Sequence, residues 1–336
     1  MRRLLSVVVL VAGLAAALAG CPEQNVDPAK YPDAWWLPGA DASVPDGSAA
    51  PTDAATWIAV PPPSGAASYK LRAIAATAGA MLAVGDQGTV FSYDPVTTAW
   101  TNLTSTVSAN LTAVASVSTT DFWIAGDAKT VLHYDGSGFT AQVLPGATSP
   151  DFKAIAASPT EVWVAGAGNA RFKYDRATTT WTDESPTSSS ADTITGLWFS
   201  GTKFWQVDTS GAVYSLGTTG WTLETTLPSS KLNAIWGFSD DDFWLVGSQV
   251  VWHYTQQATY TKVPPTDSAV WSSVWGSGPT SVFVGSKEQG LLKWNGLAWE
   301  RCAGFSLAGR DLYGIGGSAL VGTWSVGDSI LQRLQP

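Results

Sequence analysis

The residues best suited to acid-base or metal chemistry in this chain are few, and their spacing does not assemble a catalytic site. Only two histidines occur, His133 and His253, and each directly precedes a tyrosine in an apolar, strand-like segment. No serine lies in a Gly-x-Ser-x-Gly turn, and no glycine-rich loop precedes a helical segment in the pattern that cradles phosphates. The sequence therefore predicts a non-enzymatic protein without a cofactor or a metal ion.

Clustered carboxylates are a further candidate for metal binding, because Ca²⁺ prefers carboxylate and carbonyl oxygens. The run Asp240-Asp241-Asp242 does not have the spacing of an EF-hand loop. We interpret it as a solvated turn, in which Asp242 begins the following strand.

Tryptophan is the residue type whose placement is most consistent with ligand binding. Trp198, Trp236 and Trp275 occupy equivalent positions in three successive units of a repeat of about forty residues. The other units have small residues there, namely Ala75, Ala115, Ala156 and Gly316. Indole faces stack on sugar rings and on peptide side chains, so the three form a candidate binding arc. The alternative is that these indoles only fill space between neighbouring units.

The repeat itself predicts the fold. Strand-like segments with a Leu-x-Ala-Ile/Val pattern begin 38 to 42 residues apart, at Leu71, Leu111, Phe152, Ile194, Leu232, Trp271 and Leu312. A second series consists of Gly85, Gly126, Gly166, Asp208, Gly247, Gly285 and Gly327, and a third of Tyr93, Tyr134, Tyr174, Tyr214, Tyr254 and Trp294. Such a period with several short strands in each unit is typical of propeller blades.

We therefore predict an all-β, seven-bladed β-propeller over residues 55–336, with four antiparallel strands per blade. The last unit lacks a fourth strand, and residues 55–60, which contain Trp57, repeat the fourth-strand pattern. The N-terminal strand is thus expected to close the last blade and remove an exposed sheet edge. In such a ring His133 and His253 lie three blades apart, which excludes a shared metal or proton-transfer site.

The first unit resembles a kelch repeat. It has Ala83-Val-Gly85, then Val90-Phe-Ser-Tyr93-Asp94-Pro95, then Trp100. The kelch glycine doublet is replaced by Gly85-Asp86, so the similarity extends to the short-blade propellers of bacterial surface lipoproteins. The resemblance implies the propeller fold and leaves the function open.

The N-terminal segment has the layout of an export signal. Residues 1–20 carry Arg2 and Arg3 followed by an uncharged apolar run, as in a signal peptide. The sequence Leu18-Ala19-Gly20-Cys21 resembles the bacterial lipobox, which implies lipidation of Cys21. Pro22 instead of Asp at the next position favours the outer membrane of a bacterial envelope. Residues 21–54 are then the lipidated cysteine and a flexible acidic tether.

Composition bounds the partners. The formal net charge of −9 argues against nucleic acid, which requires a cationic surface. With 45% hydrophobic and 13% charged residues, the chain can bury a large core. Cys302 follows a strand-like segment and is expected to act as a small buried hydrophobe. We expect a monomer held to the membrane by its lipid anchor, with an envelope or surface protein, or a glycan, as partner.

Three functions fit these observations. The first is a protein-interaction scaffold that uses one face of the propeller. The second is a lectin-like propeller that binds glycans through Trp198, Trp236 and Trp275. The third, a polysaccharide lyase or glycosidase, requires Asp, Arg and Tyr side chains that converge at the mouth of the central channel.

Overall fold

The computed structural model describes residues 56–64, 69–187, 191–228, 231–255, 259–263, 269–286, 289–302, 304–307 and 310–335. Within these residues, 28 strands form seven four-stranded antiparallel sheets arranged in a ring. The predicted seven-bladed propeller is therefore confirmed. The predicted signal peptide, Cys21 and the tether lie outside the described residues.

The chain enters the ring through β1 (Thr56–Ala59) and then forms the blades in order. Blade 1 consists of β2 (Leu71–Ala76), β3 (Met81–Gly85), β4 (Thr89–Asp94) and β5 (Ala99–Thr104). Blade 2 consists of β6 (Leu111–Ser118), β7 (Asp121–Gly126), β8 (Val131–Tyr134) and β9 (Phe139–Ala141). Blade 3 consists of β10 (Phe152–Ala157), β11 (Glu161–Gly166), β12 (Arg171–Asp175) and β13 (Thr180–Asp183). Two 3-10 turns, Asp86–Gly88 and Ala167–Asn169, connect the second and third strands of blades 1 and 3.

Blades 4 to 7 follow the same plan. They consist of β14 (Ile194–Phe199), β15 (Phe204–Asp208), β16 (Ala212–Gly217) and β17 (Gly220–Thr226); β18 (Leu232–Ser239), β19 (Asp242–Gly247), β20 (Val250–Thr255) and β21 (Thr259–Lys262); β22 (Trp271–Gly278), β23 (Ser281–Ser286), β24 (Gly290–Trp294) and β25 (Trp299–Arg301); β26 (Leu312–Ser318), β27 (Gly322–Gly327) and β28 (Ile330–Gln335) with β1. The first strand of each blade lines the central channel.

The hairpin between β8 and β9 shows how the sequence makes its turns. Gly136 has a φ of 91°, a conformation that a residue without Cβ adopts freely. The Asp135 carboxylate accepts hydrogen bonds from the hydroxyl and N–H of Ser137 and from the N–H of Gly138. These bonds lower the pKa of Asp135 to about 2. The connection between these two strands is thus built as an Asx-type turn.

The N-terminal strand closes the ring, as predicted. Thr56 pairs with Gln335 and Trp57 with Leu334, so β1 adds antiparallel to β28 as the fourth strand of blade 7. The Trp57 side chain is only 2% exposed. Its ring packs edge-to-face against Phe283 of blade 6, with 6.0 Å between the ring centroids. The first strand therefore completes both a sheet and an interface between blades.

Two landmarks of the repeat are misplaced in the sequence analysis. Ser286, not Gly285, pairs with the first residue of its inner strand, as the landmark glycines do in other blades. In blade 4 the partner of Trp221 on the third strand is Leu216 instead of Tyr214. Tyr214 lies opposite Gln206. The landmarks are identified in the sequence by residue type. In these two blades the expected glycine or tyrosine lies one or two positions away from the residue that is equivalent in the sheet.

The core is divided among the interfaces between blades. Seven clusters of buried apolar side chains occur in the described residues, and each joins two neighbouring blades. Cys302 belongs to the cluster of blades 6 and 7 and is 8% exposed, which confirms its predicted burial. No helix among the described residues has the length and apolar character needed to cross a bilayer.

Candidate functional site

The central channel is the cavity to which all seven blades contribute. It has a volume of about 420 Å³ and is lined by their inner strands. The second residue of every inner strand is polar, and these residues form one ring at the start of the strands: Arg72, Thr112, Lys153, Thr195, Asn233, Ser272 and Tyr313. We call this ring the channel mouth. The volume of the whole channel falls in the range of small-ligand sites.

One part of the mouth, at blades 7 and 1, combines cations with an aromatic ring. Arg72 forms an ion pair with Asp86. The Lys70 Nζ atom lies 5.0 Å from the centroid of the Tyr313 ring, and the Arg72 guanidinium lies 5.7 Å from it. The Tyr313 hydroxyl donates a hydrogen bond of 2.8 Å to Asp311. Cation–π contacts and an ion pair therefore hold the side chains of Lys70, Arg72 and Tyr313 in place.

The adjacent part, at blades 2 and 3, is also charged. The Lys153 Nζ atom lies 2.8 Å from Asp127 Oδ1 and 3.9 Å from Asp151 Oδ2. Asn110 donates a second hydrogen bond to Asp127, of 3.0 Å. Burial raises the pKa of Asp127, but the bonds from Lys153 and Asn110 outweigh it and lower the pKa overall. Asp127 is thus held as a carboxylate.

The ring residues of blades 4 to 6 are uncharged, and their side chains already donate hydrogen bonds to the backbone. Thr195 donates to the carbonyl of Leu232 at 2.7 Å, and Ser272 donates to that of Leu312 at 2.9 Å. Asn233 donates to the next blade in the same way. These bonds connect the inner strands of successive blades. The ring is therefore asymmetric, because among its seven residues only Arg72 of blade 1 and Lys153 of blade 3 are charged.

The three predicted arc tryptophans all lie on the channel wall, each partly exposed. Trp236 and Trp275 are brought together, with 6.1 Å between ring centroids. Trp198 instead packs on Phe243 of blade 5 at 6.0 Å, and Trp275 lies nearly parallel to Phe283 at 6.4 Å. They therefore pack between blades and also face the channel. Three residues, or about 10 Å of extended strand, separate them from the mouth.

The two histidines lie in separate blades, 2 and 5, where each joins an acid on its own sheet. His133 Nε2 lies 2.9 Å from Asp121 Oδ1, and His253 Nε2 lies 2.7 Å from Asp242 Oδ1. Each imidazole stacks on a buried tryptophan, with 4.3 and 4.0 Å between the ring centroids. The strand β19 begins at Asp242, as predicted. Among the described residues, no group of side chains is arranged to hold a metal ion.

Asp121 is the more heavily bonded of the two acids. Besides His133, it accepts hydrogen bonds from Trp123 Nε1 at 2.9 Å and from Arg176 Nη1 at 2.8 Å. Burial raises the pKa of Asp121, but the bonds from Arg176 and His133 outweigh this effect and lower the pKa. The carboxylate links blade 2 to Arg176 of blade 3.

We expect Asp121→Asn to reduce the free energy of unfolding at neutral pH by about 2 kcal/mol, because charge-assisted hydrogen bonds are lost. A lowered pKa in the folded protein means that this stabilisation is complete above about pH 4 and disappears as the pH falls through the lowered value. Urea unfolding at several pH values measures it. Asp242→Asn is the matched control with a smaller expected loss, and a deficit that did not shrink in acid would contradict the assignment.

No protein-family profile matches this sequence, and no curated protein matches it. Solved structures do match. The similarity is one of fold. YCF48 bound to D1 peptide has a TM-score of 0.66 and 16% identity, over 88% of this chain and 100% of that one. YCF48 from Cyanidioschyzon merolae has a TM-score of 0.67 and 15% identity, over 84% and 99%. Streptogramin B lyase has a TM-score of 0.72 and 14% identity, over 83% and 97%.

The sequence analysis missed the channel mouth, although its signal is present. The variable residue of the Leu-x-Ala-Ile/Val pattern is polar in all seven units. No single residue type repeats there, and only Arg72 of blade 1 and Lys153 of blade 3 are charged.

Proposed function

We propose that this protein is a non-enzymatic scaffold whose propeller binds a segment of a partner protein at the channel mouth. The observation that carries the proposal is that the two charged residues of the ring, Arg72 and Lys153, lie on the same side of it as Tyr313, at the end of a channel of about 420 Å³. Charged and aromatic groups arranged in this way recognise polypeptide through ion pairs and stacking. A structure of the same fold, YCF48, contains a bound D1 peptide, which supports this use of a propeller.

The cellular setting belongs to the same proposal. A lipid on Cys21 would hold the propeller at a bacterial membrane, and residues 22–54 would tether it. An envelope or surface protein is then the expected partner of a monomeric propeller. The net charge of −9 supports a protein partner over nucleic acid.

An enzymatic function has a specific observation in its favour. Arg72, Tyr313 and Asp311 converge at the mouth, as the lyase or glycosidase hypothesis required. However, burial raises the pKa of Tyr313, and its bond to Asp311 adds to the rise while Lys70 opposes it. A tyrosine held in its protonated form is a poor general base near neutral pH. The cluster therefore supports binding better than proton abstraction.

The proposal is tested by photo-crosslinking in intact cells. A benzophenone amino acid at Gln87, an exposed residue beside Asp86, is expected to give a discrete protein adduct. The same group at Val143, which is 90% exposed on the outer edge of blade 2, is the control and should not. Combining the Gln87 probe with Arg72→Gln and Lys153→Gln should reduce the adduct at least fivefold, about 1 kcal/mol of binding energy.

Equal adducts from Gln87 and Val143, or adducts unaffected by the two charge changes, would contradict binding at the mouth. The glycan alternative is favoured by the position of the three arc tryptophans on the channel wall. A cell-wall glycan that binds the protein but not a folded Trp236→Ala variant would replace the first proposal with this one.

A further inference from the structure

A second cavity, separate from the central channel, lies between blades 3 and 4. It has a volume of about 530 Å³, which is within the range of small-ligand sites. Its wall includes the cationic residues Arg171 and Lys173, the acidic residues Glu161 and Glu184, and the indoles of Trp163 and Trp221. We call it the interblade cleft.

Arg171 is a departure from the repeat. It pairs with Ala165 near the start of the third strand of blade 3. The equivalent residues of the other six blades are all apolar: Val90, Val131, Val213, Val251, Leu291 and Leu331. All six belong to the clusters of buried apolar side chains. One blade therefore places a permanent cation at a position that otherwise serves the core.

The Arg171 side chain is 7% exposed and lacks a direct acidic partner among the described residues. Its guanidinium lies over two rings of blade 4, at 5.7 Å from Trp221 and 5.9 Å from Tyr214. Asp208 and Glu184 act on it only at longer range. Its Nε atom has no hydrogen-bond acceptor in the described part of the chain. A buried cation in this state is costly unless something else pairs with it.

Two neighbouring N–H donors also lack hydrogen-bond acceptors. Like Arg171 Nε, the Nε1 atoms of Trp163 and Trp221 are buried without acceptors among the described residues. In equivalent fourth-strand positions, Trp181 donates to Gln142 and Trp299 donates to the carbonyl of Val263, each in the preceding blade. The indole nitrogens of Trp57 and Trp100 resemble that of Trp221 in having no acceptor among the described residues. Arg171 Nε and these two indole N–H groups of the cleft, those of Trp163 and Trp221, thus lack acceptors, although Glu161 and Glu184 lie in the same wall.

The other cation of the cleft is already neutralised. Lys173 Nζ lies 2.6 Å from Glu161 Oε2 and 5.8 Å from the centroid of the Trp163 ring. This pair corresponds in position to the histidine–aspartate pairs of blades 2 and 5. Arg171 is thus the group in the cleft with unused capacity for an anion.

We propose that the interblade cleft binds a carboxylate attached to a ring, such as an acidic sugar or an aromatic acid. The Arg171 guanidinium donates to Asn169 Oδ1 from Nη2 at 3.5 Å, and the carboxylate supplies an acceptor for its unpaired Nε atom, in the planar geometry that favours arginine. The ring lies against the partly exposed indole of Trp221. This site is independent of the channel mouth and of the function proposed for it.

Calorimetric titration of the purified protein with D-galacturonate and with benzoate tests the site, with D-galactose and benzyl alcohol as uncharged controls. Saturable binding is expected for at least one carboxylate and for neither control. Galacturonate alone would identify an acidic sugar site, and benzoate alone an aromatic acid site. Arg171→Leu, which restores the residue type of the other blades, is expected to weaken binding at least tenfold without lowering the melting temperature.

The matched control is Arg333→Leu. Arg333 also lies over a tryptophan, at 5.6 Å from the Trp324 ring in blade 7, but it is not part of the cleft. This variant should bind the carboxylate as the unmodified protein does. Failure of both carboxylates to bind, or equal binding by Arg171→Leu, would overturn the proposal and leave Arg171 with a structural role only.

Discussion

Deleting residues 55–60 is expected to destabilise the entire ring, whereas deleting residues 22–50 is expected to leave its melting temperature nearly unchanged. The first deletion removes β1, which provides four of the paired residues of blade 7. It also removes Trp57, which is 2% exposed and packs against Phe283 and Phe305. Loss of a buried tryptophan side chain alone costs about 3–5 kcal/mol, which is a large part of the stability of an ordinary domain.

Differential scanning calorimetry of the two deletion variants beside the unmodified protein measures this effect. The variant without residues 55–60 should also aggregate more readily, because the edge of β28 becomes available for pairing with other chains. Trp57→Phe keeps the strand and part of the apolar contact, so an intermediate loss is expected. If both deletions lowered the melting temperature equally, the closure by β1 would not explain the stability of the ring.

Gly247→Ala is expected to be among the most damaging single substitutions in the protein. A Cβ atom at this position would lie 1.9 Å from the carbonyl oxygen of Lys231, which belongs to the backbone before the inner strand of blade 5. Gly247 pairs with Leu232 in the ladder between β18 and β19, and the Lys231 carbonyl accepts a hydrogen bond from Ser248 N. Relief of the overlap therefore requires movement of the sheet, and we expect a loss of about 3 kcal/mol or more.

Gly278→Ala is the matched control, because no atom lies within 4 Å of the Cβ position there. Urea unfolding of both variants gives the comparison, and equal stabilities would show that the ladder of blade 5 adjusts freely. Blades 4 and 6 have Asp208 and Ser286 at the equivalent position. The Asp208 carboxylate accepts hydrogen bonds from Ser210 N and Ala212 N, so its side chain is accommodated by local bonding.

The fold could be predicted because every blade repeats the same physical requirements. The inner strands must present apolar side chains to both neighbouring blades. The end of the second strand lies close to the backbone that precedes the inner strand, which requires a small residue, as at Gly85 and Gly126. Where a blade has a residue other than glycine at this position, the sequence pattern predicts the wrong residue. Ser286 replaced glycine, and Gly285 beside it was mistaken for the landmark. Pattern alone cannot distinguish two small neighbours, because the pairing register decides which one faces the backbone.

The candidate sites were less predictable because they consist of departures from the repeat. The arc tryptophans could be placed on the channel wall, since an equivalent position in three blades implies one location. The pairing of Lys153 with Asp127, and the position of Arg171 over Trp221, depend on contacts between different blades. Such contacts follow from the side-chain geometry of adjacent sheets, which the period does not specify. Whether the tryptophans bind a ligand stays a prediction.

Closure by the two ends of the chain also determines when the protein can finish folding. β1 is synthesised before every other strand of the ring, yet its partner β28 ends at Gln335, at the far end of the chain. The pairing of Thr56 with Gln335 is therefore the contact of longest sequence separation in this sheet, and such contacts form slowly. Until β28 has been synthesised, β1 has no partner strand. The ring is therefore completed only once β28 is available, and until then the open strands of blade 7 can pair with other chains.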